Sequence, residues 1–94
     1  MAAAAGGSEV LARAVALEIA PIRVNIIRPG LVDTPMLARV AGGQREAMIA
    51  TQSKRIPLAR IARPEEIADG IGFLMTNSYV TGSTLTIDGG LSLV

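Results

Sequence analysis

Several residue types that carry enzyme and metal chemistry are missing from this chain. Its 94 residues contain no cysteine, no histidine and no tryptophan, with one tyrosine and one phenylalanine. Disulfide scaffolds, thiol nucleophiles, histidine-based triads and the Cys/His ligand sets of zinc sites are therefore excluded. A chain of this length buries about two-thirds of its unfolded surface, so residues 1–94 are predicted to form a single domain with a small core.

Charge of one sign and long hydrophobic runs are also lacking. Nine basic and eight acidic side chains give a net charge of +1, and half of the residues are hydrophobic without forming a long uninterrupted run. A nucleic-acid or membrane-surface site needs a basic patch, and a membrane span needs about 18 consecutive apolar residues. The first five residues do not resemble a signal peptide. We expect a soluble, cytoplasmic protein with no nucleic-acid or membrane partner.

Hydrophobic spacing and turn residues predict the order of elements. The first helix is predicted to be capped by Ser8 and stopped by Pro21. The two glycines before Ser8 leave the order of the preceding residues uncertain. The predicted elements are a helix over 8–20, a strand over 23–28, a helical turn over 35–40, a helix over 44–54, a helix that begins at 63–64 and a strand over 83–87.

The two strands are too far apart for a tight hairpin. More than thirty residues, including a helix, separate them, so a parallel pair with a crossover helix is predicted. A two-stranded sheet leaves unpaired edges that invite another chain. The predicted fold class is α/β: a truncated, Rossmann-like fragment with two parallel strands and three to four helices, needing a partner to cover its sheet edges.

Three motifs in fixed order carry a family resemblance. They are NIIRPGLVDTP at 25–35, RPEEIA at 63–68 and YVTGSTLTIDGG at 79–90. Together they resemble the C-terminal portion of the short-chain dehydrogenase/reductase family, and they cover less than half of a usual member. The resemblance implies NAD- or NADP-dependent oxidoreduction of alcohols or carbonyls. It also implies that the turn with Pro29, Gly30, Leu31 and Thr34 faces the nicotinamide.

The remaining parts of the family's machinery have no counterpart in the sequence. Aligning the first helix with the family's places Met1 and Ala5 where the catalytic Tyr-x-x-x-Lys pair would stand. No Gly-x-x-x-Gly-x-Gly loop is present to hold a diphosphate. We therefore interpret the four turn residues as a vestigial cofactor site. The chain alone is expected neither to bind NAD(P) tightly nor to turn over substrate, and no catalytic residue is assigned.

Other candidate residues have ordinary structural interpretations. Tyr79 and Lys54 are the only tyrosine and lysine, but they lie in different elements, which argues against a substitute acid-base pair. Asp33 and Asp88 stand beside turns, where aspartate commonly accepts backbone hydrogen bonds, and no metal site is indicated. A basic cluster is followed closely by acidic residues, so we expect a solvated mixed-charge face. It comprises Lys54, Arg55, Arg60 and Arg63.

The first helix offers two surfaces. Its apolar stripe is expected to cover the sheet, and the opposite small-residue face with Ala12 and Ala16 is expected to pack against a second subunit, as the family resemblance implies. The partner is then a second copy or a full-length homologue, which makes an oligomerising interaction module the alternative function. The stripe comprises Val10, Leu11, Ala14, Val15 and Leu17.

Overall fold

The computed structural model describes the backbone of residues 2–94 and the side chains from residue 6 onward. The elements follow the predicted order of a helix, a strand, three helical segments and a second strand, and short 3-10 turns cover Gly42–Gln44 and Leu91–Leu93. The helices and strands are α1 (Ala2–Glu18), β1 (Ile26–Pro29), α2 (Pro35–Ala41), α3 (Arg45–Ser53), α4 (Pro64–Thr76) and β2 (Thr84–Ile87).

The start of α1 differs from the prediction. The helix begins at Ala2, so Ser8 lies inside it instead of capping it, and that prediction was wrong. Glycines in a helix interior each cost about 1 kcal/mol relative to alanine, and here Gly6 and Gly7 are accommodated between runs of strong helix formers. The helix ends at Glu18, just before Pro21, as expected.

The apolar stripe of α1 does not cover the sheet, so that prediction was wrong. Ala16 is 5% exposed, and a methyl group at Gly82 would come within 3.9 Å of its Cβ, so the small-residue face packs inward. Val10, Leu11 and Leu17 of the apolar stripe are exposed by 59%, 65% and 84%. Short side chains allow the helix to approach the turn before β2 closely, which a leucine face would prevent.

The sheet is a parallel pair, as predicted. Ile26 lies opposite Thr84 and Pro29 opposite Ile87, and the crossover runs through α2, α3 and α4. The amide of Ile26 donates to the carbonyl of Ser83 at 2.9 Å. Backbone groups of successive strand residues point alternately to the two edges of a strand, so those of Ile26 face β2 and those of Pro29, three residues later, face away from β2. In the described part of the chain, no strand pairs with that outer edge of β1.

Polar side chains satisfy backbone groups at both ends of α4. Pro64 occupies its first turn, and the Glu66 carboxylate accepts the backbone amide of Arg63 at 2.9 Å. At the other end, the guanidinium of Arg23 donates to the carbonyls of Leu74 and Met75 at 2.5 and 2.8 Å. A residue that precedes β1 therefore satisfies the last carbonyls of the crossover helix.

The buried core is small and lies beside the sheet. It contains Leu37, Ile56 and Ile61, which bring α2 together with the segment between α3 and α4. The accessible surface is 6596 Å², compared with about 5,100 Å² for a compact chain of this mass, and the radius of gyration is 15.4 Å, compared with about 12 Å. The fold thus leaves more surface exposed than a compact domain. Among the described residues, no helix meets the length and hydropathy of a membrane span.

Candidate functional site

The site predicted from the sequence is the turn that leaves β1. Gly30 begins it, and its amide donates to the carbonyl of Ile87 at 2.9 Å, extending the ladder by one bond. A Cβ at this position would lie 2.8 Å from the Cα and Cβ of Asp88. The turns that follow the two strands therefore touch, and only glycine permits that approach.

The middle of the turn is held by a second segment of backbone. Val32 forms an isolated parallel bridge with Ala62. The amide of Ala62 donates to the carbonyl of Leu31 at 2.9 Å, and the amide of Asp33 donates to the carbonyl of Ala62 at 2.9 Å. These bonds fix the path of the chain immediately before Thr34.

Thr34 ends the turn and begins α2. It is the N-cap of that helix: its Oγ1 accepts the amide of Leu37 at 3.4 Å, and Pro35 occupies the first helical position. The bond uses an oxygen lone pair, so the hydroxyl proton can still be donated to another acceptor. Thr34 is half-buried.

The turn separates two open clefts. One has a volume of about 330 Å³ and is lined by Pro29, Val32 and Thr34 together with α4. The other has a volume of about 370 Å³ and is lined by Gly30, Leu31, Val32 and Thr34 together with α2 and α3. The structure thus brings Pro29, Gly30, Leu31 and Thr34 into one hydrogen-bonded turn, and Thr34 lines both clefts.

The charged residue beside the turn was missed by the sequence analysis. Arg45, the first residue of α3, donates to Oδ1 of Asp33 at 2.5 Å and also pairs with Glu46. The hydrogen bond with Asp33 raises the pKa of the Arg45 guanidinium. Asp33 therefore forms an ion pair rather than the turn contact that was predicted. The partners lie twelve positions apart in the sequence, so no local pattern would reveal the pair.

Asp88 has the turn role that was predicted. Its carboxylate accepts the amides of Gly90 at 2.9 Å and Ser92 at 3.0 Å. Hydrogen bonds from Ser92 and from the Gly90 amide lower the pKa of this carboxyl, and the charge of Arg28 on β1 contributes further. Arg28 also pairs with Glu9 of α1, so one strand arginine lies between α1 and the turn after β2.

The remaining candidate residues do not form a shared site in the described structure. Tyr79 is 98% exposed after α4, and Lys54 follows α3, so no shared element brings them together. Arg60 forms a two-bond ion pair with Glu66, each bond 2.7 Å long, as a mixed-charge face would. The hydrogen bonds from Arg60 and from the backbone of Arg63 lower the pKa of Glu66. Among the described residues, no cluster of acidic side chains could hold a metal ion.

Comparison with known proteins gives the family. A family model described as enoyl-(acyl carrier protein) reductase matches residues 1–92. The chain therefore belongs to the short-chain dehydrogenase/reductase family. Its two parallel strands and the helices that connect them are part of that family's Rossmann-like fold.

Individual relatives show how much of the fold the chain contains. It is 36% identical over 88 residues to the short-chain dehydrogenase/reductase malC of Malbranchea aurantiaca, covering 94% of this chain and 33% of that protein. It is 42% identical over 94 residues to the 3-oxoacyl-[acyl-carrier-protein] reductase FabG of Pseudomonas aeruginosa, covering 96% of this chain and 36% of that one. The chain thus spans about a third of the length of these curated relatives.

Solved structures agree with the sequence comparison. The malC reductase/Diels-Alderase structure superposes with a TM-score of 0.88 at 36% identity, over 95% of this chain and 34% of that one. A small-chain dehydrogenase in complex with NADPH superposes with a TM-score of 0.86 at 34% identity, over 95% of this chain and 41% of that one.

The turn after β1 offers the Thr34 hydroxyl beside two clefts, a setting that a carboxamide could fit. A diphosphate needs an open glycine-rich cradle, and the adjacent Gly89 and Gly90 do not form one. A Cβ at Gly89 would lie 2.8 Å from Ile56 and one at Gly90 would lie 2.9 Å from Pro57, so neighbouring side chains fill that turn. The sequence places Met1 and Ala5 at the family's dyad positions, and both side chains lie outside the described part of the structure.

Proposed function

We propose that this chain supplies the nicotinamide-facing turn and the adjoining substrate cleft of an NAD(P)-linked oxidoreductase that interconverts alcohols and carbonyls. The observation that carries the proposal is the hydrogen-bonded turn at 29–34, in which Thr34 lines two clefts. The family match over residues 1–92 supports the reaction class. The bound cofactor would exchange a hydride with the substrate, and this chain's residues would orient the two molecules.

Turnover requires a tyrosine and a lysine spaced as in the family's Tyr-x-x-x-Lys pair, and these 94 residues contain no such pair. A family dyad uses a phenol to exchange a proton with the substrate oxygen, assisted by an ammonium group four residues later on the same helical face. Met1 and Ala5 carry neither group. We therefore propose that the chain alone is inactive and binds NAD(P) only weakly. Its vestigial contacts are Pro29, Gly30, Leu31 and Thr34. A cytoplasmic location stays a prediction.

Calorimetry and reconstitution test this function. Titration of the purified chain with NADH and with NADPH should show no binding in the micromolar range, and micromolar affinity would contradict the proposal. Mixing the chain with an amino-terminal fragment of a short-chain reductase that extends through its own Tyr-x-x-x-Lys pair should restore hydride transfer, followed by absorbance at 340 nm. Thr34→Val should abolish the restored activity and Thr34→Ser should retain it, because only serine keeps a hydroxyl there. Thr51→Val, on exposed α3 surface, is the matched control.

The alternative function, an interaction module, has its own supporting observation. α1 exposes large apolar side chains along one side, among them Leu11 and Leu17, and the whole chain has excess surface for its mass. In this case the chain pairs with a second copy or with a full-length homologue. Light scattering after size exclusion should give at least a dimer, and Leu17→Glu should dissociate it. A stable monomer at high concentration would remove self-assembly.

A further inference from the structure

The cleft between the turn and the two short helices has a distinct chemical character. Its volume of about 370 Å³ lies within the roughly 300–1,000 Å³ range of small-molecule sites. Apolar side chains from both helices form its walls, and its lining includes one hydroxyl. The wall residues are Met36, Leu37, Val40 and Met48, and the hydroxyl belongs to Thr34.

No charged side chain lines this cleft in the described part of the chain. Of the cations on the two helices around it, Arg45 is already bonded to Asp33 and paired with Glu46, and Arg39 is exposed on α2 and does not line the cleft. A substrate carboxylate or phosphate would find no positive charge in the lining. Burying an anion without a partner is strongly unfavourable, so the cleft disfavours anionic substrates.

The walls also disfavour substrates with many hydroxyl groups. Such a substrate would place hydroxyls against methionine and aliphatic groups, where they lose hydrogen bonds to water without replacement. An alkyl chain has the opposite effect. Met36 and Val40 are exposed by 65% and 75%, and an alkyl chain would remove this apolar surface from water. The flexible thioethers of Met36 and Met48 can adapt to chains of different shape.

We propose that the cleft selects ketones and secondary alcohols that carry an uncharged, unbranched alkyl chain, with the oxygen-bearing carbon toward Thr34 and the chain along Met36, Val40 and Met48. This substrate class rests on the proposed function, which makes the turn the reacting end of the cleft. The Thr34 hydroxyl and the apolar walls together define the orientation of the substrate in the cleft.

Methionine methyl signals provide a direct test on the 94-residue chain. With ¹³C-methyl methionine, Met36 and Met48 report from the cleft, and Met75 reports from a separate pocket beside Arg23. Titration with 2-decanone should shift the Met36 and Met48 signals saturably and leave Met75 unchanged. Levulinate, a charged ketone, and dihydroxyacetone, a polyhydroxylated ketone, should not shift them. Equal or stronger responses to either polar ketone, or an equal response at Met75, would overturn the proposal.

Substitutions at exposed helical valines make the test specific. Val40→Asp places a carboxylate in the apolar wall and should weaken 2-decanone binding by at least about tenfold. The same change at Val10, 59% exposed on α1, should leave the affinity unaltered. Val40→Thr keeps the shape of the side chain and should give a smaller loss in the same direction. Unchanged affinity in both Val40 variants would also overturn the proposal.

The outcome does not depend on the test of the proposed function, because the titration contains no dinucleotide. If 2-decanone binds as expected and the reconstituted enzyme shows no hydride transfer, the proposed function fails and the cleft's preference for alkyl chains stands. If hydride transfer is restored and the cleft methyls do not respond to 2-decanone, the proposed function stands and this substrate class fails.

Discussion

The contact between α4 and the sheet leads to a quantitative prediction for Gly70→Ala. A Cβ at Gly70 would lie 2.2 Å from Cδ1 of Ile87 and 3.3 Å from Cδ2 of Leu85. Inserting a methyl group into a packed contact costs about 1–3 kcal/mol. Alanine is favoured over glycine in a helix interior by about 0.8–1.0 kcal/mol. The net effect is a destabilisation of about 0–2 kcal/mol.

Gly72 in the same helix provides the matched control. A Cβ there meets nothing within 4 Å, so Gly72→Ala retains only the helix-forming benefit and should stabilise the chain by up to about 1 kcal/mol. Since the propensity gain is common to both variants, the difference between them isolates crowding against β2 and should be about 1–3 kcal/mol.

Urea unfolding followed by circular dichroism at 222 nm measures this difference. Gly70→Ala should shift the midpoint to lower urea or leave it unchanged, and Gly72→Ala should shift it to higher urea, with equal slopes. Equal stabilisation by both substitutions would show that the helix does not rest on the sheet at Gly70, and the reasoning would be refuted.

Three further predictions use the same unfolding assay. The pKa of Glu66 is lower in the folded chain than its ordinary value of 4.5, so the Glu66 carboxylate stabilises the fold fully above pH 4.5 and this stabilisation is lost as the pH falls through the folded pKa. Glu66→Gln should therefore flatten the decline in unfolding free energy below pH 4.5. An unchanged decline would argue against the ion pair. Arg23→Met removes two hydrogen bonds to the end of α4 and should lower the unfolding free energy by about 1–3 kcal/mol. The control Arg39→Met, at an exposed position of α2, should change it by less than about 0.5 kcal/mol. Equal effects of the two substitutions would contradict the capping role of Arg23. Gly30→Ala pushes against the backbone of Asp88 and should cost about 3 kcal/mol, and a neutral result would exclude that close approach.

Much of the fold was predictable because its signals are local. Pro64 and the two acidic residues after it predicted the start of α4, and the separation of the strands predicted their parallel pairing. The first strand was predicted over 23–28 but runs from Ile26 to Pro29. Arg23 and Asn25 bind the end of α4 and the turn before β2 through their side chains, which β propensity alone does not reveal.

The faces of α1 and the surroundings of the turn were not predictable in the same way. Apolar spacing identifies a stripe such as Leu11 and Leu17, but only the three-dimensional approach to Gly82 shows that Ala16 faces inward. The turn residues themselves were identified from the family motif, and the structure brings them together. Their ion-paired neighbour Arg45 depends on a tertiary contact with no sequence signature.

The proline at the end of β1 has a consequence for the behaviour of the chain at high concentration. Its ring lies where the unpaired edge of the strand would otherwise present an amide donor. A strand from another molecule that pairs with this edge would therefore lack one backbone hydrogen bond at Pro29. Repeated stacking of copies into fibrils needs an uninterrupted series of donors and acceptors. Pro29 therefore makes this border a poor template for amyloid growth, even though the strand is rich in isoleucine.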